Sequence, residues 1–81
     1  MAAGRLGRGV VTIVPVTSNV ARVHPFQVVL LASDTGLQVD SKAQAEQIRS
    51  VAVERIGPRV GVVPPAEMDA LGEALRLHLS L

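Results

Sequence analysis

The sequence predicts a small α+β domain, mainly β, with one helix at its C-terminal end. Fourteen valines and a single aromatic residue, Phe26, leave aliphatic side chains to build the core, and valine favours strands. Two valine-rich runs, residues 10–16 and 26–31, have the length of strands. A leucine-rich stretch, residues 65–80, repeats its apolar residues at helical spacing.

Composition excludes several classes of protein. The 81 residues suffice for one small domain, residues 1–81. The absence of cysteine excludes disulfides and thiolate metal sites, and the two isolated histidines, His24 and His78, lack the spacing of a zinc site. No apolar run approaches the roughly 20 residues of a membrane span. We therefore expect a cytoplasmic protein with no metal, no cofactor and no membrane contact.

The charges are unevenly spread along the chain. A net charge of +1 is too small to indicate nucleic-acid binding by itself. No Asp or Glu occurs before Asp34, however, whereas Arg5, Arg8 and Arg22 do. Two interpretations remain: basic residues that solvate a strand edge, or a surface that faces an anion. With a single aromatic residue, the chain cannot stack bases as RNA-recognition motifs do.

The first third of the chain is predicted to hold two strands and a loop. Residues 1–9, rich in glycine, form a flexible lead-in. In the first strand, residues 10–16, Pro15 lacks an N–H, which places this strand at a sheet edge or bends it. Residues 17–25 form a loop. The second strand, residues 26–31, is apolar enough to be buried on both faces.

Turns and an ambiguous segment follow. Residues 33–36 predict a turn in which Gly36 adopts positive φ. Residues 37–40 and 60–63 have strand-like patterns. The segment 41–56 fits either a helix or a strand of period two, and residue propensity favours the helix.

The C-terminal stretch predicts an amphipathic helix over residues 65–80. Pro64-Pro65 suits the first turn of such a helix. Gly72 in its middle costs about 1 kcal/mol against alanine, which indicates close packing there. The apolar stripe comprises Met68, Leu71, Leu75, His78 and Leu79. Because Leu77 and Leu81 lie outside this stripe, we expect a partner subunit to cover a second face.

Four segments in a fixed order resemble the MazF/PemK family of toxin endoribonucleases. They are VPVTSN (14–19), PFQV (25–28), VDSKAQAEQIRSV (39–51) and ALRLHLSL (74–81). Within the third segment, EQIR is the most recognisable part. Each segment is short, but together they span the chain from about Arg5 onward, so the resemblance rests on the whole pattern.

This resemblance implies a fold, a reaction and partners. The fold would be a small, curved β-barrel of the CcdB/PemK type with a C-terminal helix, assembled as a homodimer. The protein would be the toxin of a type II toxin–antitoxin system, bound by a cognate antitoxin. It would cleave single-stranded RNA at specific sequences without a metal, using the ribose 2′-hydroxyl and leaving a cyclic phosphate. The family also implies strand over 42–51 and a helical turn near 53–56, which we adopt against residue propensity.

The resemblance also assigns residues of this chain. Thr17 falls on the family's catalytic threonine, although it also fits a turn that bonds its own backbone. Gln47, within EQIR, falls in the RNA groove, where its amide could read a base edge. Arg49 either pairs with Glu46 or meets RNA phosphate. Three further RNA-binding candidates lie in the loop after the first strand: Ser18, Asn19 and Arg22. Both histidines are assigned to structure rather than to catalysis.

The chain matches the C-terminal two thirds of the family domain. The family's first strands and its loop arginine, which shares the catalysis, have no match here. This predicts an incomplete barrel and weak or absent activity. Two other functions stay open: an inactive remnant that dimerises or binds an antitoxin, and a CcdB-like topoisomerase poison. VPVTSN and EQIR favour the ribonuclease.

Overall fold

The chain alternates short strands with turns before it ends in one long helix. The structure is a computed structural model that describes residues 9–81, so the lead-in predicted for residues 1–9 lies outside it except for Gly9. The elements are β1 (Val10–Ile13), β2 (Val16–Thr17), β3 (Gln27–Leu30), α1 (Ala32–Thr35), β4 (Ser41–Gln44), β5 (Arg49–Ala52) and α2 (Pro65–Leu79). Two 3₁₀ turns, Ala45–Gln47 and Val53–Arg55, lie on either side of β5.

The strands form two antiparallel sheets. A three-stranded sheet has the order β2-β4-β3, and β1 pairs with β5 in a separate two-stranded ribbon. The predicted strand 10–16 is divided at Val14-Pro15. Pro15 has no N–H to donate, and only its carbonyl continues the pairing, accepting from the N–H of Gln44 at 2.9 Å. The prediction of an edge strand with a bend is therefore confirmed.

The segment 41–56 consists of strands and short turns, as the family resemblance implied. β4 and β5 occupy most of it, and the turn Val53–Arg55 follows. The helix favoured by residue propensity is wrong, because β4 is the central strand and pairs with a neighbour on each side. Ala45 is fully buried where α2 packs on the first 3₁₀ turn. Sheet pairing and burial outweigh a propensity preference of a few tenths of a kcal/mol per residue.

The turn predicted at residues 33–36 is the end of the short helix α1. Gly36 follows this helix with φ 86°, so the predicted positive φ is confirmed. The N–H of Ala32 at the start of α1 donates to Oδ1 of Asp40 at 2.8 Å. This bond ties the helix to the segment that leads into β4.

Two of the predicted strands are absent from the described part of the chain. Residues 37–40 and 60–63 are irregular, which corrects both predictions. A Cβ on Gly61 would stand 2.2 Å from the carbonyl oxygen of Thr35, so only glycine fits this approach. The N–H of Val62 donates to the same oxygen at 2.9 Å. The segment 60–63 therefore lies over the end of α1 instead of pairing in a sheet.

One face of the three-stranded sheet packs against α2. This packed face carries Val16, Val28, Leu30 and Ala43, which line a small cavity of about 80 Å³ together with Leu71 of α2. The opposite face is covered only in part, since Val29 is 39% exposed. The prediction that the second strand is buried on both faces is therefore wrong, because one helix covers one face of a sheet.

Helix α2 begins at Pro65, as predicted. Its inner side differs from the predicted stripe: Leu71, Ala74 and His78 are buried or half-buried, whereas Met68 and Leu79 are about half exposed. The ring of His78 meets that of Phe26 edge to face, with centroids 5.8 Å apart. This contact confirms a packing role for His78.

Gly72 does not mark a close contact within residues 9–81. A Cβ built on it meets no atom within 4 Å, and its backbone is helical. The close packing predicted from the sequence is therefore wrong for this part of the chain.

These elements confirm an α+β fold with antiparallel strands and a C-terminal helix. Across residues 9–81 the three-stranded sheet and the ribbon stay separate and do not close into a barrel. Over the same range, neither helix has the length and hydropathy needed to cross a bilayer.

Candidate active site

The face of the three-stranded sheet that points away from α2 carries polar side chains from all three strands. Side chains alternate along a strand, and residues paired across an antiparallel ladder share a face. Thr17 pairs with Lys42, and Lys42 pairs with Val29, so these three share one face. Gln27 and Gln44, which pair with each other, lie on it too. We call Thr17, Gln27, Lys42 and Gln44 the polar face.

Thr17 ends β2 and is half-buried at the edge of this face. Its Oγ1 accepts a hydrogen bond from the N–H of Asn19 at 3.2 Å. Oδ1 of Asn19 in turn accepts one from the N–H of Ala21 at 3.3 Å. Two side chains thus fix the turn that follows the strand. The hydroxyl proton of Thr17 has no acceptor within residues 9–81, so it is available to a ligand oxygen.

The loop candidates lie directly after Thr17. Ser18, Asn19 and Arg22 are all exposed. The only ion pair in the described part of the chain joins Arg76 to Glu73, so the guanidinium of Arg22 has no carboxylate partner there. The loop therefore presents a hydroxyl, an amide and a cation beside Thr17.

Gln47 and Arg49 belong to elements other than this loop and the three-stranded sheet. Gln47 is exposed in the turn between β4 and β5, and Arg49 begins β5, opposite Ile13 of β1. Arg49 lines an open pocket of about 570 Å³ in the ribbon, together with Ser50 and Arg55. Thr17 and Arg49 thus belong to different sheets.

Glu46 is engaged by a residue other than Arg49. Its Oε2 accepts a hydrogen bond from Nε2 of Gln27 at 2.6 Å, and within residues 9–81 it forms no ion pair with Arg49. Its Oε1 is buried without a hydrogen-bond partner in the same range. The pairing of Arg49 with Glu46 is therefore absent from the described residues, and a contact of Arg49 with phosphate stays a prediction.

Sequence reasoning missed Lys42 and Gln27. Lys42 is 7% exposed, and its Nζ donates to the carbonyl oxygen of Arg22. Gln27 is buried, and its Oε1 accepts from the N–H of His24 at 3.0 Å. The alternation in SKAQA, with small residues at every second position, was the available signal, because it places Lys42 on the face opposite the core.

The chemistry available here is that of hydroxyls, amides and cations. No three His, Asp or Glu side chains come together as metal ligands between residues 9 and 81. Hydroxyl and cationic groups bind phosphate, and amides bind base edges. The arrangement is thus suited to a nucleic-acid strand.

Comparisons with known proteins identify the family and the fold of this chain. Endoribonuclease MazF9 of Mycobacterium tuberculosis is 66% identical over 79 residues, which are 98% of this chain and 67% of that protein. The Mycobacterium tuberculosis toxin MazF-mt6 shares the fold with a TM-score of 0.83, at 22% identity, over 100% of this chain and 80% of that one. An endoribonuclease from a mycobacterial species has a TM-score of 0.76 at 29% identity, over 89% of this chain and 65% of that one. A family model described as PemK-like, MazF-like toxin of type II toxin–antitoxin system matches residues 3–79, and the chain belongs to this family.

Proposed function

We propose that this protein is the toxin of a type II toxin–antitoxin pair and acts as an endoribonuclease on single-stranded RNA in the cytoplasm. Its 66% identity to an endoribonuclease over nearly the whole chain supports the activity. The observation that carries the proposal is the hydroxyl proton of Thr17, which has no acceptor among residues 9–81 and lies at a strand end before a loop with an exposed arginine.

In the proposed reaction Thr17 binds the scissile phosphate. Its hydroxyl donates to a non-bridging phosphate oxygen while the neighbouring ribose 2′-oxygen loses its proton to water and attacks phosphorus. The bond from phosphorus to the 5′-oxygen breaks, and that oxygen takes up a proton from water. The products are a 2′,3′-cyclic phosphate and a 5′-hydroxyl end. No metal enters this scheme.

The other candidates hold and guide the RNA. Arg22 and Arg49 are exposed cations that attract the phosphate backbone. Gln47 is exposed, and in this proposal its amide forms two hydrogen bonds with a base edge. Ser18 and Asn19 shape the turn and contact the strand next to the cleaved bond.

The same proposal names protein partners. A cognate antitoxin follows from the type of system to which the family belongs. A homodimer is supported by the apolar side chains that α2 leaves exposed, among them Met68, Leu77 and Leu79. Burying such a surface against a second copy would be favourable at roughly 25 cal/mol per Å² of apolar area.

The test is RNA cleavage with Thr17→Val as the matched variant. Valine keeps the β-branched shape and removes only the hydroxyl. We expect the unsubstituted protein to cut a long single-stranded RNA in EDTA only weakly, at specific sites and with 2′,3′-cyclic phosphate ends, because the family's loop arginine has no match in this sequence. Sequencing of the new 5′ ends detects even low turnover.

Thr17→Val should abolish these cuts and change the free energy of unfolding by less than about 1 kcal/mol, because the bond it loses is exposed. A turn threonine would give the reverse pattern, with reduced stability and intact cleavage. Cleavage that persists in Thr17→Val would remove Thr17 from the mechanism.

A further inference from the structure

We infer that Lys42 is a positioning residue for the proposed RNA site: it holds the loop after Thr17 and supplies a fixed positive charge behind it. The inference rests on the proposed function, because the proposed RNA substrate supplies the phosphate that this charge faces. Three observations carry it, namely the burial of Lys42, its place in the strand register and its contact with the loop.

The first observation is a buried charge without a counter-charge. Lys42 is 7% exposed, although lysine is almost never buried unless it is paired. No carboxylate stands within ion-pair distance of it between residues 9 and 81, where the only ion pair is Arg76–Glu73. Within the described residues the ammonium of this buried side chain has a carbonyl partner but no carboxylate, so an anion that binds from outside would stabilise its charge.

The second observation is the register. Lys42 pairs directly with Thr17 in the ladder of β2 and β4. Side chains of directly paired residues share a face, with Cβ atoms about 4.5–5.5 Å apart. The side chain of Lys42 therefore starts beside Thr17 and carries its ammonium to the loop that follows Thr17, in surroundings that screen the charge less than water does.

The third observation is the loop itself. Nζ of Lys42 donates to the carbonyl oxygen of Arg22, while Gln27 binds the N–H of His24 and Thr17 binds that of Asn19. One side chain from each strand of the sheet thus fixes the loop at three points. An ammonium has three donors, so Lys42 has capacity beyond the one bond it makes.

The experiment measures RNA binding, which needs no turnover. The probe is a fluorescein-labelled 2′-O-methyl oligoribonucleotide of mixed sequence, which cannot be cleaved through its 2′ position. Its affinity is followed by anisotropy over a range of salt concentrations. The variants are Lys42→Gln, which keeps a donor and loses the charge, Lys42→Met, which keeps the length and loses both, and Lys42→Arg, which keeps the charge. Arg76→Gln, which removes an exposed charge paired with Glu73, is the control.

We expect Lys42→Gln and Lys42→Met each to lower the slope of log K against log salt by about 0.7, the value for one phosphate on a single strand. Lys42→Arg and Arg76→Gln should keep the slope of the unsubstituted protein. In the cleavage assay, Lys42→Gln should reduce kcat by about 10²-fold with a smaller change in KM, as for a lost preorganised charge.

A purely structural lysine would change the melting temperature and leave the salt slope unchanged. An unchanged slope in either neutral variant that folds, or a slope lost in Lys42→Arg, would overturn the inference. Absence of binding by the unsubstituted protein would instead refute the proposed function itself. Because the two neutral variants perturb packing differently, a folding failure in one leaves the other to decide.

Discussion

The three-stranded sheet and the β1–β5 ribbon are built from similar strands but differ in what covers them. The sheet packs one face against α2, and its residues Leu30 and Ala43 are almost completely buried. In the ribbon no residue is buried, and Val10 at its start is 66% exposed. Strand pairing satisfies the backbone in both, but only the sheet has a second layer within residues 9–81. A two-stranded ribbon without such a layer is marginally stable in water.

This difference also divides the candidate site. Thr17 and Lys42 lie in the sheet, where packing holds the backbone that carries them. Arg49 lies in the ribbon, where no packed second layer holds the backbone within residues 9–81. We therefore expect the phosphate contact at Thr17 to be preorganised and the contacts of Arg49 to become ordered only when RNA or a partner binds.

The largest expected effect is a core deletion in the sheet. Leu30→Ala truncates a side chain in a residue that is 3% exposed. It should reduce the free energy of unfolding by about 2–5 kcal/mol, which is a large share of the total stability of a small domain. The matched change in the ribbon, Val10→Ala, should cost no more than about 0.5 kcal/mol because that side chain is exposed. Urea unfolding measures both. Equal losses would mean that a second layer covers the ribbon in solution.

Hydrogen exchange tests the same contrast without a substitution. Amides that pair β1 with β5 should exchange about 10²-fold faster than those that pair β4 with its neighbours, because elements with few buried contacts open locally at low cost.

The proposed homodimer should appear by light scattering as a dimer or a larger species.

Protein concentration then sharpens the result. If the second copy covers the ribbon, amide hydrogen exchange in the ribbon should slow as the protein concentration rises, whereas amide exchange in β4 should not change. A clean monomer with cooperative unfolding and uniformly protected strands would contradict both the dimer and the contrast between the two regions.

Local sequence signals predicted those parts of the molecule that depend on local physics. The helix starts at Pro65 because proline suits its first turn, and the strand before Thr17 bends because Pro15 cannot donate. Small polar residues after a valine-rich run also predicted the loop that follows β2, although Thr17, predicted as its first residue, still belongs to the strand. These features need no knowledge of distant contacts.

The parts that local signals missed depend on distant contacts. Lys42 looked like a helix former, and only its bond to the carbonyl of Arg22, twenty residues away in the chain, shows that it lies beneath the loop. The strand β4 likewise contradicts its residue propensities because two neighbours pair with it. The approach of Gly61 to Thr35, which replaces a predicted strand, is also a contact between distant residues.

The smallest expected effect concerns α2, the element that separates the two regions. Gly72→Ala should stabilise the chain by about 0.5–1 kcal/mol, because alanine favours the helix and restricts the unfolded state. No atom lies within 4 Å of the added methyl group, so it costs no repulsion in the structure described. Thermal unfolding measures this gain as a rise of a few degrees for a domain of this size.

Ala66→Gly, at an exposed position in the first turn of the same helix, is the reciprocal control and should lower the melting temperature. A fall in the melting temperature of Gly72→Ala, accompanied by weaker self-association, would show that a second surface contacts the helix at Gly72. The side of α2 that carries Met68 and Leu79 would then belong to an interface.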